Sequence, residues 1–186
     1  MNFLIFDKEL LSSKLVHTIL ADFRHVTLIT SSESSLSIPS SSPQFLLIKQ
    51  VDISNAHQVI QSLSKHENDP FDAILIFNST QYSDLHNILE TMKRLKRQPP
   101  HLFFFFIGQQ HEFDKSINKL LKEISDIISW TIVICNEINS STTTKYQVQT
   151  KSNPNNQQPI APTAVLDFVC DGIKTKKYLH ETIYIY

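Results

Sequence analysis

"MNFLIFDKELLSSKLVHTIL" (residues 1–20) is the stretch on which the reading of the chain turns. An unbroken apolar run, Phe3-Leu4-Ile5-Phe6, passes within a few residues into a segment of helical period. A strand handed directly to a helix is the opening half of a β-α-β unit. The connection is notable for what it lacks. Asp7-Lys8-Glu9-Leu10-Leu11-Ser12-Ser13 holds no glycine, and the whole chain has only two, Gly108 and Gly172.

Working outward, the same alternation continues. Short, mostly continuous apolar runs at 2–6, 25–30, 45–51, 72–77, 101–107 and 130–135 read as strands buried on both faces. Helix-period segments lie between and after them, near 9–22, 54–66, 81–97, 111–128 and 161–174. Ser54 is expected to open the second helix, with Val59, Ile60 and Leu63 on its packed face. The aromatic tail from Tyr178 to Tyr186 supplies an edge strand or an interface. Strand alternating with helix predicts an α/β fold with right-handed crossovers. The expected architecture is a three-layer, Rossmann-like doubly wound, mainly parallel sheet of six or seven strands, in a single domain spanning 1–186. Two polar stretches, 31–43 and 150–162, interrupt the rhythm and are expected to be mobile surface loops.

The 186 residues suffice for one core, and 41% hydrophobic with 19% charged residues is a globular composition. A net charge of −1 provides no field to draw nucleic acid or an anionic membrane, so neither is expected as a partner. The basic run Lys93-Arg94-Leu95-Lys96-Arg97 reads as a helix C-terminus ahead of Pro99-Pro100. Cys135 and Cys170 each lie in apolar sequence, which suits core thiols in a reducing compartment and an expected cytoplasmic location. No apolar stretch approaches the roughly 18 to 20 residues that span a bilayer, and no export signal is expected.

Four segments, in order, resemble atypical short-chain dehydrogenase-like NAD(P)H-binding proteins, the group of NmrA-like regulators and biliverdin/flavin reductase-like enzymes. "VDISNAHQVIQSL" is similar to their third strand and the helix after it. "FDAILIFNST" matches their fourth strand, "SDIISWTIVICNEI" their Trp-Thr-Ile-Val strand, and "PIAPTAVLDFVCDGI" the helix that follows. The resemblance covers nearly the whole chain. It implies a Rossmann domain whose C-terminal segment builds the substrate end, and function must then be argued from the site.

Laying the family's Gly-Ala-Thr-Gly-x-x-Gly loop on this chain places Asp7, Leu10 and Ser13 where the three glycines belong. Those glycines allow a tight turn, close approach of a diphosphate, and close helix packing. Here Asp7 and Glu9 bring carboxylates to the expected helix start, where they would stabilise a bare helix and repel a diphosphate. Asp52 matches the family's adenine-side acid and reads equally as a cap on the next helix. Thr30-Ser31-Ser32-Glu33 carries no base for a 2′-phosphate, which disfavours NADP.

The catalytic Tyr-x-x-x-Lys dyad is missing, since Tyr82, Tyr146, Tyr178 and Tyr184 have no lysine four residues on. His111-Glu112 lacks the spacing of a metal site, and no metal is expected. Cys170 reads as core instead of nucleophile. A residual pocket at the strand ends would be lined by Asn78, Ser79, Thr80, Gly108, Gln109, Asn136 and Tyr146, holding a small polar ligand or only satisfying loop backbone.

The expectation is therefore a non-catalytic binding or regulatory protein with a degenerate cofactor corner at Asp7, Leu10, Ser13, Asp52, Asn78, Ser79, Thr80 and Gly108. No cofactor is expected on this reading. The alternative is a working NAD(P)H-dependent oxidoreductase, flavin-reductase-like, that grips NAD(P)H through an atypical loop. A protein partner or a homodimer through the aromatic tail is the remaining expectation.

Overall fold

The first six strands of the central sheet are fed from hydrophobic runs, and the alternation of side chains along those runs builds two cores at once. The structure is a computed structural model that describes residues 1–7, 10–31, 43–48, 51–64, 71–77, 82–94, 100–108, 115–126, 128–139, 145–151 and 158–186. In chain order the elements are β1 (Asn2–Asp7), α1 (Ser13–Ala21), β2 (His25–Ile29), β3 (Phe45–Ile48), α2 (Ala56–Ser64) and β4 (Ala73–Phe77). They continue with α3 (Tyr82–Arg94), β5 (His101–Ile107), α4 (Lys115–Ile124), β6 (Trp130–Cys135), β7 (Val148–Gln149), α5 (Pro162–Thr175) and β8 (Glu181–Ile185).

The strands lie in the order β3-β2-β1-β4-β5-β6-β8-β7. All neighbours pair in parallel except β7, a two-residue strand antiparallel to the tail strand β8. The expected six or seven strands are thus seven parallel ones, with the aromatic tail as the seventh, plus a short antiparallel edge. Chain order reverses between β1 and β4, which makes that position the switch point of the sheet.

Phe3, Ile5, Leu75, Phe77, Phe103, Phe105, Val133 and Ile183 face one layer, in which they join Leu15, Val16 and Ile19 of α1 and Val165, Phe168 and Val169 of α5. Leu4, Phe6, Ile74, Ile76, Leu102, Phe104, Phe106 and Ile132 face the other, with residues of α2, α3 and α4. The run Phe103-Phe104-Phe105-Phe106 therefore supplies both layers alternately. Phe77 and Phe105 stack with ring centroids 4.9 Å apart, tying β4 to β5 on the α1/α5 side.

Several boundaries differ from the sequence reading. α1 starts at Ser13, not near 9, because residues before it are consumed by a left-handed turn at Leu10 (φ +61°). The second helix is capped by Asn55, whose Oδ1 accepts the amides of His57 and Gln58, one residue later than Ser54. Most of 31–43 and residues 152–157 lie outside the described residues. Within the expected loop 150–162, Ile160 is buried, bridges Ile138 in parallel and donates its amide to the Glu137 carbonyl. Burial of that one apolar side chain and pairing of its backbone hold this end of the segment against β6.

Candidate functional site

Open parallel sheets bind ligands beyond the carboxyl ends of their strands, at the switch point. Asp7, the last residue of β1, stands there paired with Phe77 of β4. Its side chain is only 1% exposed, and Oδ2 accepts the amide of Ser12 at 2.5 Å. Ser12 is the N-cap of α1 and makes no side-chain cap bond of its own. Asp7 is not itself the cap: it reaches the helix start from the strand, and the first turn of α1, from Ser13 on, contains no acid, while Glu9 lies outside the described residues. The physical reason is the turn at Leu10, which brings Ser12 back over the end of β1.

Leu10, expected in the place of the second loop glycine, has a left-handed backbone at φ +61°, a conformation that glycine adopts without strain. Its carbonyl accepts the amide of Ser13, 3.2 Å away, closing the turn. Asp7, Leu10 and Ser13 are thus brought together at one corner. Lys14, which the sequence reading passed over, sits in the first turn of α1, and its Nζ is hydrogen-bonded to Asn139 Oδ1 after β6. Asn139 Nδ2 in turn donates to Glu137 Oε1 at 2.8 Å. A cation at a helix N-terminus opposes the dipole, and that misplacement in the sequence was the available signal.

The remaining predicted residues are spread along the sheet. Thr30, at the end of β2, is buried, and its carbonyl accepts the amide of Val51. Asp52 is exposed beyond β3, where Oδ1 accepts the Ser54 amide at 2.9 Å and its hydroxyl at 2.5 Å. It orders the turn ahead of α2; the cap itself is Asn55. Gly108 follows β5 at φ +103° with open space where a Cβ would stand, and its amide donates to the Cys135 carbonyl at 3.1 Å. Asn136 is half-buried at the end of β6. Asn78, Ser79, Thr80 and Gln109 lie outside the described residues.

Tyr146 does not share this corner. Its hydroxyl donates to Asp171 Oδ2 at 2.7 Å, and it lines a cavity of about 370 Å³ with Arg24, Lys145, Asp167, Cys170, Asp171 and Lys174. Burial, then the hydrogen bond to Asp171, raises the phenol above its ordinary range. Arg24 Nη1 donates to Cys170 Sγ at 3.0 Å, yet burial outweighs that cation and raises the thiol. Burial pushes Cys135 up to about 12. Both cysteines are free and buried. Among the described residues no group of three or more His, Cys, Asp or Glu could hold a metal ion, and no helix is long and apolar enough to cross a membrane.

No protein-family model matches the chain, and no curated protein matches it in sequence. Solved structures do. A Rossmann-fold NAD(P)-binding family protein from Shigella flexneri superposes with a TM-score of 0.70 at 15% identity, covering 100% of this chain and 93% of that one. A wide-type short-chain dehydrogenase/reductase from Veillonella parvula, in complex with NADP, gives a TM-score of 0.70 at 12% identity, covering 99% and 94%. A candidate NADH-flavin reductase from Streptococcus pneumoniae gives 0.59 at 15% identity, covering 100% and 98%.

The expectation that no cofactor binds is contradicted by these likenesses: of the proteins that share the fold, one is described as an NAD(P)-binding family protein and another holds NADP. The turn shows the limit of counting glycines: Leu10 takes up a left-handed backbone without being one. The chain has the Rossmann fold that these short-chain dehydrogenase-like and NADH-flavin reductase-like proteins share.

Proposed function

We propose that the protein binds a nicotinamide dinucleotide across the switch point between β1 and β4 and acts as a binding or regulatory protein, without the Tyr-Lys proton relay. The observation that carries this reading is the place of the turn at the start of α1: the left-handed Leu10 and the helix N-terminus follow directly on β1, at the switch point where open parallel sheets bind ligands. The residues fit such a ligand in part. The amides at the start of α1 and the Lys14 ammonium favour a diphosphate, the open space at Gly108 leaves room along the strand ends, and the Asp7 carboxylate opposes the diphosphate. Thr30 and Asp52, on the β2 and β3 side, would flank the adenosine half, with Asn136 toward the other end.

The non-catalytic part of the proposal rests on proton donors. Tyr146 lines the cavity beside Arg24 and Cys170, its hydroxyl committed to Asp171, and no tyrosine in the chain has a lysine four residues on. A bound nicotinamide supplies hydride chemistry by itself, so a second reading stays open: an NADH-dependent flavin reductase, favoured by the likeness to the streptococcal protein. Binding of NADH by calorimetry, followed by its oxidation with and without FMN, separates the two. The first reading predicts saturable binding with no FMN-dependent loss of NADH; steady turnover with FMN would replace it by the second.

A further inference from the structure

We infer that the Asp7 carboxylate is an internal competitor for the start of α1, so that a dinucleotide gains less from its diphosphate here than the fold otherwise permits. This rests on the dinucleotide reading above and concerns how tightly, not whether, that ligand is held.

Asp7 is the last residue of β1, paired with Phe77 at the switch point, and its carboxylate is almost wholly buried. Oδ2 takes the Ser12 amide at 2.5 Å, and the first turn of α1 carries no other acid. The negative charge that complements the helix start thus comes from the protein itself. A second, independent feature marks the same corner. Ser12 is fully buried, and its Oγ has no hydrogen-bond partner among the described residues, so a polar atom at the helix cap is left for a ligand or water to satisfy.

A diphosphate seated at this corner competes for the same amide and meets a like charge at short range, where burial limits screening. The Lys14 ammonium offsets this only in part, because Asn139, itself bonded to Glu137, holds it toward the segment after β6. Adenosine, which lacks phosphate, meets neither penalty. Asp7 therefore couples to the diphosphate and not to the nucleoside.

The test crosses ligand with residue: adenosine, ADP and NADH are each titrated by calorimetry into the full chain, its Asp7→Asn variant and its Asp7→Ser variant. Asparagine keeps an oxygen for the Ser12 amide without the charge, and serine keeps a smaller acceptor should asparagine fold poorly. Thermal melts confirm that each variant is folded. The inference expects ADP and NADH to bind at least tenfold more tightly to a folded variant, with adenosine unchanged within about twofold. Wild-type binding of NADH with no tightening in either variant, or equal tightening for adenosine, overturns the inference and leaves the dinucleotide reading standing. No binding of NADH or ADP by any of the three proteins at millimolar concentration overturns both.

Discussion

The amide of Ser13 donates to the carbonyl of Leu10 over 3.2 Å, and the turn so closed holds Leu10 at φ +61°. A left-handed leucine costs about 1 to 2 kcal/mol that a glycine would not. That hydrogen bond and the one from the Ser12 amide to Asp7 Oδ2 brace the turn.

Leu10→Gly and Leu10→Ala should therefore fall in the reverse of the usual order. Both lose the half-buried leucine side chain, so that loss cancels between them, while only glycine relieves the strain. The glycine variant is expected to be more stable than the alanine variant by about 1 kcal/mol in urea unfolding with a common slope. Alanine proving the more stable would show that the turn is relaxed.

Gly172 in α5 lies against the sheet, and a Cβ built there would stand 3.2 Å from Phe103 Cζ and 3.3 Å from Cε1. Phe103 has little room to yield. It is fully buried, stacked on His101 at 4.2 Å and edge-on to Phe168 at 6.1 Å. Replacing a helical glycine with alanine ordinarily gains about 1 kcal/mol, whereas overpacking costs about 1 to 3 kcal/mol. Gly172→Ala is expected to destabilise by about 1 kcal/mol, and a rise in melting temperature would contradict the packing described.

His101 opens β5 in a buried position, and burial followed by the nearby His180 lowers its pKa to about 4. Thr131 donates its hydroxyl to the Tyr178 carbonyl at 2.7 Å, so His101 Nε2 must be the donor in its 2.8 Å bond to Thr131 Oγ1. The sign follows from linkage. The folded pKa lies below the unfolded value near 6.5, so the unfolded chain binds more protons between the two, and stability falls as pH drops through that window. The contribution lost between pH 7 and pH 5 is about 2 kcal/mol. His101→Gln should flatten that part of the urea-unfolding profile relative to wild type; an unchanged slope would mean the imidazole is accessible to protons in the fold.

Much of this architecture was legible in advance because apolar runs report burial directly. The run His101 to Ile107 reads as a strand covered on both sides, and the structure distributes its phenylalanines to both layers. The edge was harder. β7 is two residues long and is specified by pairing with Ile185 and Tyr184, not by any pattern of its own. Ile160 looked like part of a polar loop because its burial depends on Ile138, more than twenty positions away.

At the site, residue identity proved a poorer guide than backbone. The absent glycines suggested a lost ligand, yet Leu10 carries a left-handed dihedral, which the hydrogen bonds of the turn brace and composition cannot reveal. The buried Asp7 was foreseen at the helix start, but its contact with Ser12 depends on a turn that periodicity alone ran through as helix. Tyr146 was grouped with the strand ends by its polarity, and its hydroxyl instead donates to Asp171 in the wall of the cavity beside α5.

Cofactor binding should be read without Trp130, which is buried at the amino end of β6 with Nε1 bonded to the Leu121 carbonyl, three strands from β1 and at the opposite end of the strands from Asp7. Calorimetric titration of the unmodified protein with NADH is the most direct measurement. One saturable site with a dissociation constant at or below about 1 mM, equivalent to about −4 kcal/mol, is the predicted result. Flat heats across that range, with the protein shown to be folded, would contradict it.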